Sequence, residues 1–392
     1  MVLQAQAVHL RRQTLHGSQN KRFGPRGPYR KRDWVAEIDQ IFQNESARNF
    51  KSWLRTYYSI DRTSFDRLLH LIKDNKVFQS DGKKPQLPVH YQLAVYLIRY
   101  GYTTGTKTGS KINVSEGSVY KCCKRVTHAL RALRSAYVRW PTNEEKQDIK
   151  LYYQECGFPG AIGSVDGTYI QLLDKPKFRP MAYYCRKKFW AVSMMVVASP
   201  DGRILFYDLG WPGSMADVTI WKQCHLWQHR DAYLARSEWL FADKGYSLSQ
   251  YMMMPFQEHE LRIAEPPEKR KMKKWNKAFA SQRIVVEHTF GRLKKRFGYL
   301  RGIPGRHMGT IYRVIESLVV LHNILLDFGD LAEDLGPAEA AQVMHGHAEF
   351  HLRHERHYKR TPPEATSSRH HLLVGQERRQ QLLNYWADYH YA

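Results

Sequence analysis

The segment Gly163-Ser164-Val165-Asp166-Gly167-Thr168-Tyr169-Ile170 places one acidic residue inside a run of strand-forming side chains. Such a run is typical of a buried strand, whereas aspartate is depleted in strands and is costly to bury without a partner. A turn is the alternative interpretation, because Asp-Gly is a strong turn dipeptide. The segment therefore indicates either a turn or a strand that keeps a carboxylate for a function.

Three further acids stand in similar settings, at the ends or on the faces of predicted buried elements: Asp217, Asp243 and Glu287. Carboxylates gathered in this way hold divalent metal ions against a phosphate. Mg²⁺ prefers a few carboxylates together with water and phosphate oxygens, so histidine and cysteine ligands are not required. If the strands that carry Asp166 and Asp243 are neighbours, their two carboxylates converge.

Two of these acids also have a structural explanation. Asp217 follows Ser214 at the spacing of a capping box and could close the start of a helix. Glu287 lies one helical turn after Arg283, and such an i,i+4 ion pair stabilises a helix by roughly 0.3 kcal/mol. The sequence leaves both explanations open beside the metal-binding one.

The charge balance narrows the class of partner. Among 392 residues, Lys and Arg number 61 against 37 acids, which gives a net charge of +24. This excess predicts a polyanionic partner, with nucleic acid ahead of an acidic membrane surface. No uninterrupted apolar run approaches the roughly 20 residues needed to span a bilayer, so no membrane association is expected. The five scattered cysteines are typical of free thiols in a reducing compartment, and a nuclear location is expected.

The first third of the chain divides into a basic arm and a helical domain. Residues 1–32 predict a disordered arm that either is solvated, binds phosphate or directs nuclear import. Residues 33–148 predict a mostly helical domain, with helices over 34–42, 50–58 and 64–73 and another after Leu87-Pro88. Its last part, from Lys111 through Arg134, resembles a helix-turn-helix, in which three cations either contact DNA or lie on a plain packed helix: Lys121, Lys124 and Arg125.

Residues 149–330 change to an alternation of strands and helices, which predicts an α/β domain with a mixed sheet. We expect strands over 161–172, 189–198, 203–209, 239–242 and 251–255, and helices over 214–229, 275–297 and 311–328. Residues 331–392 form a polar, His-rich tail with one last helix predicted over 375–386. The irregular spacing of the tail histidines favours solvation over metal binding.

Positive charge surrounds the predicted helix that carries Glu287. The run 269–277 has six cations in nine residues and predicts a connector that follows phosphates, although a solvated surface is the alternative. The cations proposed to contact DNA here are Lys271, Lys273, Lys274, Arg292, Lys294 and Lys295. Trp275 either stacks on a base or packs inside the protein.

Five short runs, taken in order, resemble the PIF/Harbinger transposases and their domesticated nuclease relatives. They are Gly157-Phe158-Pro159 leading to Val165-Asp166-Gly167-Thr168, the run 210–217 (GWPGSMAD), Ala242-Asp243-Lys244-Gly245-Tyr246, the run 283–297 (RIVVEHTFGRLKKRF) and Leu321-His322-Asn323. The likeness covers residues 150–330 well, the preceding helices loosely, and the arm and tail hardly at all.

The resemblance implies an RNase H-like catalytic core with an Asp-Asp-Glu centre formed by Asp166, Asp243 and Glu287. It also implies Mg²⁺ or Mn²⁺ as the cofactor, with Asp217 as a further metal ligand. A separate Myb-like DNA-binding protein is the implied partner. Two departures are the alanine at Ala216, where the family usually has histidine, and a somewhat long basic connector before Glu287.

The resulting hypothesis is a metal-dependent DNA endonuclease, or transposase, that cuts and joins phosphodiester bonds at transposon ends and target DNA, with a homodimer as one assembly. The alternative from another class is a domesticated, non-catalytic DNA-binding or scaffold protein. An RNA-directed hydrolase of similar fold is a third interpretation, for which the sequence offers no specific feature.

Overall fold

The structure is a computed structural model that describes residues 60–80, 85–101, 114–330 and 367–391. All of them belong to one unit, Ser46–Ala392. The predicted basic arm, the helices expected over 34–42 and 50–58 and the histidines at 345–357 lie outside the described residues. Predictions about those segments therefore stay predictions.

A five-stranded mixed sheet lies at the centre of the described chain, as the alternating pattern predicted. Its strands, in the spatial order β3-β2-β1-β4-β5, are β1 (Ala161–Gln171), β2 (Ala191–Ala198), β3 (Ile204–Pro212), β4 (Trp239–Phe241) and β5 (Met252–Met253). The pairs β1–β2 and β2–β3 are antiparallel, whereas β1–β4 and β4–β5 are parallel. The segment around Asp166 is thus a strand in the middle of the sheet, and the turn interpretation is wrong.

Both faces of the sheet are covered. Every residue of β2 is buried, which explains its continuous apolar sequence. Along β4 the side chains alternate between two cores, with Trp239 and Phe241 on one face and Leu240 on the other. The sheet is therefore the middle layer of an α/β fold.

The helices before the sheet are α1 (Arg62–Ile72), α2 (Val89–Gly101), α3 (Glu116–Ala132), α4 (Arg134–Tyr137) and α5 (Asn143–Glu155). Helix α3 begins after Ser115, whose side chain accepts a hydrogen bond from the Ser118 amide. Helix α2 is buried from Tyr91 to Gly101, so it is enclosed on all sides rather than amphipathic. The Tyr96 hydroxyl lies 2.7 Å from the Ser317 hydroxyl, which ties α2 to a helix that follows the sheet.

The prediction of one continuous helix over 214–229 is wrong, both in where the helix starts and in its continuity. It begins at Asp217 after Ala216, without a capping side chain, and breaks into α6 (Asp217–Gln223), α7 (His225–Gln228) and α8 (Arg230–Tyr233). Cys224 is the first break, because its backbone is extended. The capping-box explanation of Ser214 and Asp217 is therefore wrong as well.

The basic run 269–277 is helical rather than a connector. After α9 (Glu258–Ile263), the helix α10 extends from Pro266 to Arg296. Proline suits the first helical position, and Lys, Arg and Met are good helix formers, so the charged run extends the helix. Trp275 is fully buried in it, which decides for packing over base stacking. The predicted core stripe is confirmed by the burial of Phe279, Val286, Phe290, Leu293 and Phe297.

Two more helices complete the fold: α11 (Met308–Asp327) and α12 (Ser367–Tyr391). Helix α11 is long and apolar enough to cross a membrane, but two thirds of its apolar window is buried inside the protein, as in a core helix. Helix α12 is longer than the helix expected over 375–386, and Leu383 and Trp386 pack in the same core as Trp239. This part of the predicted polar tail therefore belongs to the folded unit.

Candidate active site

The parallel pairing of β1 and β4 brings two of the predicted acids level with each other. Ser164 pairs with Phe241, and each of the two acids, Asp166 and Asp243, comes two residues later in its own strand or just beyond it. Because neighbouring strands are separated by about 4.8 Å, equal offsets place these two residues side by side. The expected convergence of Asp166 and Asp243 is thus explained by strand register.

Helix α10 is tied to β1 at two points that lie on either side of Glu287. The Ser164 hydroxyl donates to the Gln282 carbonyl oxygen at 3.2 Å. Further along, the Lys294 ammonium donates to the Thr168 hydroxyl at 2.6 Å. The helical segment between these ties carries Glu287, and the strand segment between them carries the first aspartate. The two ties therefore bring the third acid to the same place.

Asp217 reaches the centre from the other side, at the start of α6. A Cβ atom added to Gly167 would lie 2.3 Å from Asp217 Oδ1, so the carboxylate occupies the space that a side chain would need. Glycine at 167 allows this close approach. Asp217 thus lies against β1, next to Asp166, and has no helix-capping role.

The pKa of Asp166 is consistent with the convergence of all four acids. Burial raises the pKa of Asp166 well above its ordinary value, and the negative charges of Asp243, Asp217 and Glu287 raise it further. Arg283 opposes this shift. Four carboxylates therefore lie within electrostatic reach at one place, which matches the set chosen from the sequence.

Asp217 behaves in the same way. Burial raises its pKa to about 6, with a further contribution from Asp243, while Arg186 and Lys187 act in the opposite direction. A carboxylate set with crowded negative charge favours a bound cation, since a cation relieves both the desolvation and the mutual repulsion. The donor chemistry of the four acids, which is all oxygen, fits a hard divalent ion such as Mg²⁺ or Mn²⁺.

The side-chain orientations show which local partners these acids have. Asp166 Oδ1 accepts the amide hydrogen of Gly167 at 2.8 Å, and Asp243 Oδ1 accepts that of Gly245 at 2.8 Å. Within the described ranges, no three His, Cys, Asp or Glu side chains are arranged as a metal-holding group. Binding a metal would therefore require the carboxylates to rotate from these backbone partners towards a common point.

Glu287 has a side-chain partner of its own. Arg283 Nη2 lies 2.7 Å from Glu287 Oε1, so the i,i+4 ion pair expected from the sequence is confirmed. Burial lowers the pKa of Arg283, but the charges of Glu287, Asp166 and Asp243 outweigh it and raise the pKa overall. Arg283 therefore partly neutralises the centre and restrains its third acid.

Lys294 differs from the role expected for it. Its ammonium points into the protein and donates to the Thr168 hydroxyl and, at 2.8 Å, to the Tyr169 carbonyl oxygen. Burial, assisted by the positive charge of Lys187, lowers the pKa of Lys294 to about 8, while Asp166 opposes the shift. Lys294 thus ties α10 to β1 two residues after Asp166, instead of presenting its ammonium on an exposed phosphate track.

The remaining predicted DNA-contacting residues are exposed or half-buried. Lys121, Lys124, Lys273 and Lys274 are exposed, and Arg125, Lys271, Arg292 and Lys295 are half-buried. Arg292 also donates to the Asp201 carbonyl oxygen at 3.3 Å, in the turn between β2 and β3. The surface lysines stay predictions as DNA contacts.

His322 and Asn323, which end the sequence resemblance, have structural roles. Burial lowers the pKa of His322 to about 4, so the ring is neutral and its Nε2 lies 3.0 Å from the Gly202 carbonyl oxygen. Asn323 accepts from the Ile204 amide at 3.0 Å and donates to the Ile204 and Tyr137 carbonyl oxygens. Both residues hold the turn between β2 and β3 against α11.

Sequence reasoning missed Arg186 and Lys187. Both lie in the segment between β1 and β2, where a cluster of basic residues, Arg186-Lys187-Lys188, could have drawn attention as a charge run. Their proximity to Asp217 depends on how the segment folds back over the sheet, and the sequence does not reveal it.

Comparison with known proteins finds a matching family and several relatives. Residues 165–323 match the family described as DDE superfamily endonuclease, a range that includes all four acids. The chain is 30% identical over 236 residues to "Putative nuclease HARBI1" of Homo sapiens, a match that covers 58% of this chain and 65% of that protein. The Xenopus laevis protein of the same name is 26% identical over 291 residues, covering 70% of this chain and 78% of the relative.

A plant relative extends the match. "Protein ALP1-like" of Arabidopsis thaliana is 22% identical over 304 residues, covering 71% of this chain and 72% of that protein. The chain thus spans slightly less than two thirds of the human relative and somewhat more of the amphibian and plant ones. No solved structure matches the chain significantly.

Proposed function

We propose that this chain, whose residues 165–323 match the DDE superfamily endonuclease family, is a divalent-metal-dependent DNA endonuclease that cuts and joins phosphodiester bonds as a transposase does. The observation that carries the proposal is the convergence of Asp166, Asp217, Asp243 and Glu287. Strand register supports it for Asp166 and Asp243, the close approach to Gly167 supports it for Asp217, and the two hydrogen bonds between α10 and β1 support it for Glu287. Four oxygen donors in one place fit this chemistry better than a purely structural role, because burying like charges together opposes folding.

We assign Asp166, Asp217, Asp243 and Glu287 as the metal ligands, and Asp166, Asp243 and Glu287 as the catalytic triad of acids. When bound, Mg²⁺ or Mn²⁺ supplies Lewis-acid activation of the attacking water or 3′-hydroxyl and stabilisation of the leaving oxygen. The protein's own part is to hold the backbone of each acid on a sheet strand or a helix, so that bringing the carboxylates to a metal requires only side-chain rotation.

The cations beside the acids have a complementary part. Arg283 balances the charge of Glu287 until the acid turns towards the centre. Lys294 fixes the Thr168 side of β1, directly after the glycine against which Asp217 packs. Arg186 and Lys187 add positive charge on the side of Asp217, where a phosphate backbone would approach.

The proposal extends to partners and location. DNA, as transposon ends and target, is the substrate that the charge of +24 favours. A separate Myb-like protein supplies sequence recognition, the active assembly is a homodimer, and the protein works in the nucleus. These points rest on the family resemblance and the basic composition.

A cleavage assay tests the proposal. The full chain is incubated with supercoiled plasmid in Mg²⁺, Mn²⁺ or a chelator, with and without a Myb-like partner, beside Asp166→Asn. We expect nicked or linear DNA only with metal and only from the wild-type chain. DNA binding without cleavage under every condition would instead support the non-catalytic DNA-binding or scaffold function.

A further inference from the structure

The segment that connects β1 to β2, residues 173–190, is strongly basic and is here named the β1–β2 arm. Its cations are Lys175, Lys177, Arg179, Arg186, Lys187 and Lys188, against a single acid. That acid, Asp174, accepts a hydrogen bond from the Gly305 amide at 2.6 Å and so faces the protein. The outer surface of the arm is therefore positive, which suits a polyanion.

The arm is anchored to the domain along its length. Its two ends are held together, because the amide of Leu172, just before the arm, donates to the carbonyl oxygen of Trp190 at 2.8 Å. In the middle, the Ser214 amide donates to the Ala182 carbonyl oxygen at 3.0 Å, just before the helix that begins with Asp217. The arm is thus a built surface element that is fixed in position relative to the acid centre.

Four large apolar side chains of the arm are exposed: Leu173, Phe178, Met181 and Tyr184. Phe178 and Met181 are the most exposed of the four. Phe178 is 74% exposed and Met181 is 72% exposed. Neither contributes to the core, and Arg179 between them has a left-handed backbone (φ 43°) with its guanidinium 5.2 Å from the Phe178 ring centroid. Because exposing apolar surface and holding a strained backbone both oppose folding, these residues indicate a binding function.

The arm also meets the acid centre. Its Ala182 carbonyl oxygen accepts a hydrogen bond from the Ser214 amide, three residues before Asp217. Arg186 and Lys187 follow Ala182 by four and five residues, and their positive charges act to lower the pKa of Asp217. A DNA strand whose phosphate sits at the acids would therefore continue across the arm, with its backbone against the cations and its bases within reach of the apolar pair.

We propose that the β1–β2 arm binds DNA whose bases are unstacked beside the cut site, with its cations on phosphates and with Phe178 and Met181 inserted at an opened base step. This inference rests on the proposed function and adds to it the form of DNA that the site accepts. Phe and Met are among the side chains that wedge between base steps, and aromatic side chains stack on exposed bases of any sequence. A uniform duplex would use the cations alone and leave the apolar pair in water.

Binding measurements in a chelator test the inference without requiring cleavage. The full chain is titrated against a fluorescein-labelled 40-base-pair duplex and against the same duplex with a three-base mismatch bubble containing 2-aminopurine. We expect the bubble to bind roughly tenfold more tightly, with a change in 2-aminopurine fluorescence, because stacking on unpaired bases is favourable. The double variant Phe178→Ala, Met181→Ala should lose this preference and the fluorescence change while keeping its affinity for plain duplex.

Matched controls separate the arm from the rest of the surface. Leu151→Ala with Ile263→Ala removes two apolar side chains that are also exposed, at 56% and 84%, and should leave the preference intact. The triple variant Lys175→Gln, Lys177→Gln, Lys188→Gln should weaken both probes equally and lower the salt slope by roughly 0.9 for each phosphate that is no longer neutralised. The matched control is the triple variant Lys73→Gln, Lys76→Gln, Lys222→Gln, which changes three exposed lysines outside the arm. We expect it to leave the affinity for both probes and the salt slope unchanged.

The outcomes distinguish this inference from the proposed function. Equal wild-type affinity for both probes, or a preference that survives the Phe178 and Met181 changes, overturns the inference alone. A loss of affinity only for an added Myb-like protein would assign the apolar pair to a protein contact and also overturn it. A wild-type chain that binds neither probe overturns both proposals, whereas bubble preference without metal-dependent cleavage overturns only the proposed nuclease activity.

Discussion

The surroundings of Glu238 and of the acid centre differ in how negative charge is compensated. Glu238, which is 2% exposed, has Lys146 Nζ 2.8 Å from one carboxylate oxygen and Lys150 Nζ 2.8 Å from the other. The Ala235 amide donates to the same carboxylate at 2.9 Å. Burial alone would raise the pKa of Glu238, but these partners outweigh it and lower the pKa.

The acid centre lacks this compensation. Asp166 and Asp217 are brought beside other carboxylates, and burial and like charge raise the pKa of both. Arg283 and the cations of the β1–β2 arm reduce the repulsion without removing it. The Glu238 cluster stabilises the fold, whereas the acid centre costs stability, and such local conflicts are expected at functional sites.

The largest expected effect is on cleavage. Asp166→Asn, Asp243→Asn and Glu287→Gln should each abolish metal-dependent cleavage, by more than about a hundredfold, since even changes next to metal ligands cost 10–100-fold. Because each change removes one of several like charges, the metal-free protein should melt at the same or a higher temperature. Cleavage rates and thermal unfolding in a chelator measure the two effects. Full activity of the Asp243 or Glu287 variant would contradict the assignment.

Glu238→Gln should show the reverse pattern. Removing one partner of a buried ion cluster leaves uncompensated charge, so we expect a loss of about 3 kcal/mol in unfolding free energy. DNA cleavage per folded molecule should be unchanged, because Glu238 lies outside the acid centre. Denaturant unfolding of the variant measures the loss of stability. The control is Asp66→Asn, which removes the exposed ion pair between Arg62 and Asp66. An unchanged midpoint would remove the contrast between the two clusters.

Opposite pH dependences would sharpen the comparison. In the metal-free protein the folded-state pKa of Asp217 is about 6, above the ordinary 3.8, so its contribution to stability falls as pH rises from about 4 to 6. The lowered pKa of Glu238 has the opposite sign, since its contribution is present above the ordinary value of 4.5 and is lost as pH falls. We therefore expect the melting temperature of Asp217→Asn to increase relative to wild type as pH rises from 3 to 7. Over the same range, the melting temperature of Glu238→Gln should decrease relative to wild type.

The same raised pKa predicts how metal binding responds to acid. A divalent ion competes with the proton on Asp217, so Mn²⁺ affinity of the wild-type chain should decrease as pH falls through about 6. Asp217→Asn should bind Mn²⁺ more weakly at pH 7 and with a flatter pH profile. Titration calorimetry at pH 5 to 8 measures both. An Mn²⁺ affinity and a pH profile that are both unchanged in the variant would exclude Asp217 as a ligand.

The smallest effects are expected from charges in neither cluster. Lys271→Gln, Lys273→Gln and Lys274→Gln together should leave the unfolding free energy nearly unchanged. If these residues bind phosphates, DNA affinity should fall and its salt slope should decrease by roughly 0.9 for each phosphate that the variant no longer neutralises. Affinity measured from low to moderate salt tests this, and unchanged binding with intact cleavage would identify the run as a solvated surface.

Much of the fold could be predicted from local sequence patterns. The strands around Asp166, over β2 and before Asp243 follow from their apolar runs and adjacent turn residues, and the core stripe of α10 follows from helical spacing. The errors arose where distant contacts decided. The residues of the basic run 269–277 are good helix formers, but the packing of Trp275 and Met272 in the core makes the run part of α10 rather than a connector. The helix after Ser214 breaks at Cys224, whose extended backbone no local pattern indicated.

The sequence by itself indicated the four acids, the elements that carry Asp166, Asp243 and Glu287, and the family resemblance, because these depend on residue type and local order. Only the tertiary structure decided that Asp217 packs against Gly167 rather than caps a helix, and that Lys294 points inward. It alone placed Arg186 and Lys187 beside the acids. Such relations depend on strand register and on the return path of the chain between β1 and β2, and the free energy that fixes them comes from packing between residues far apart in sequence.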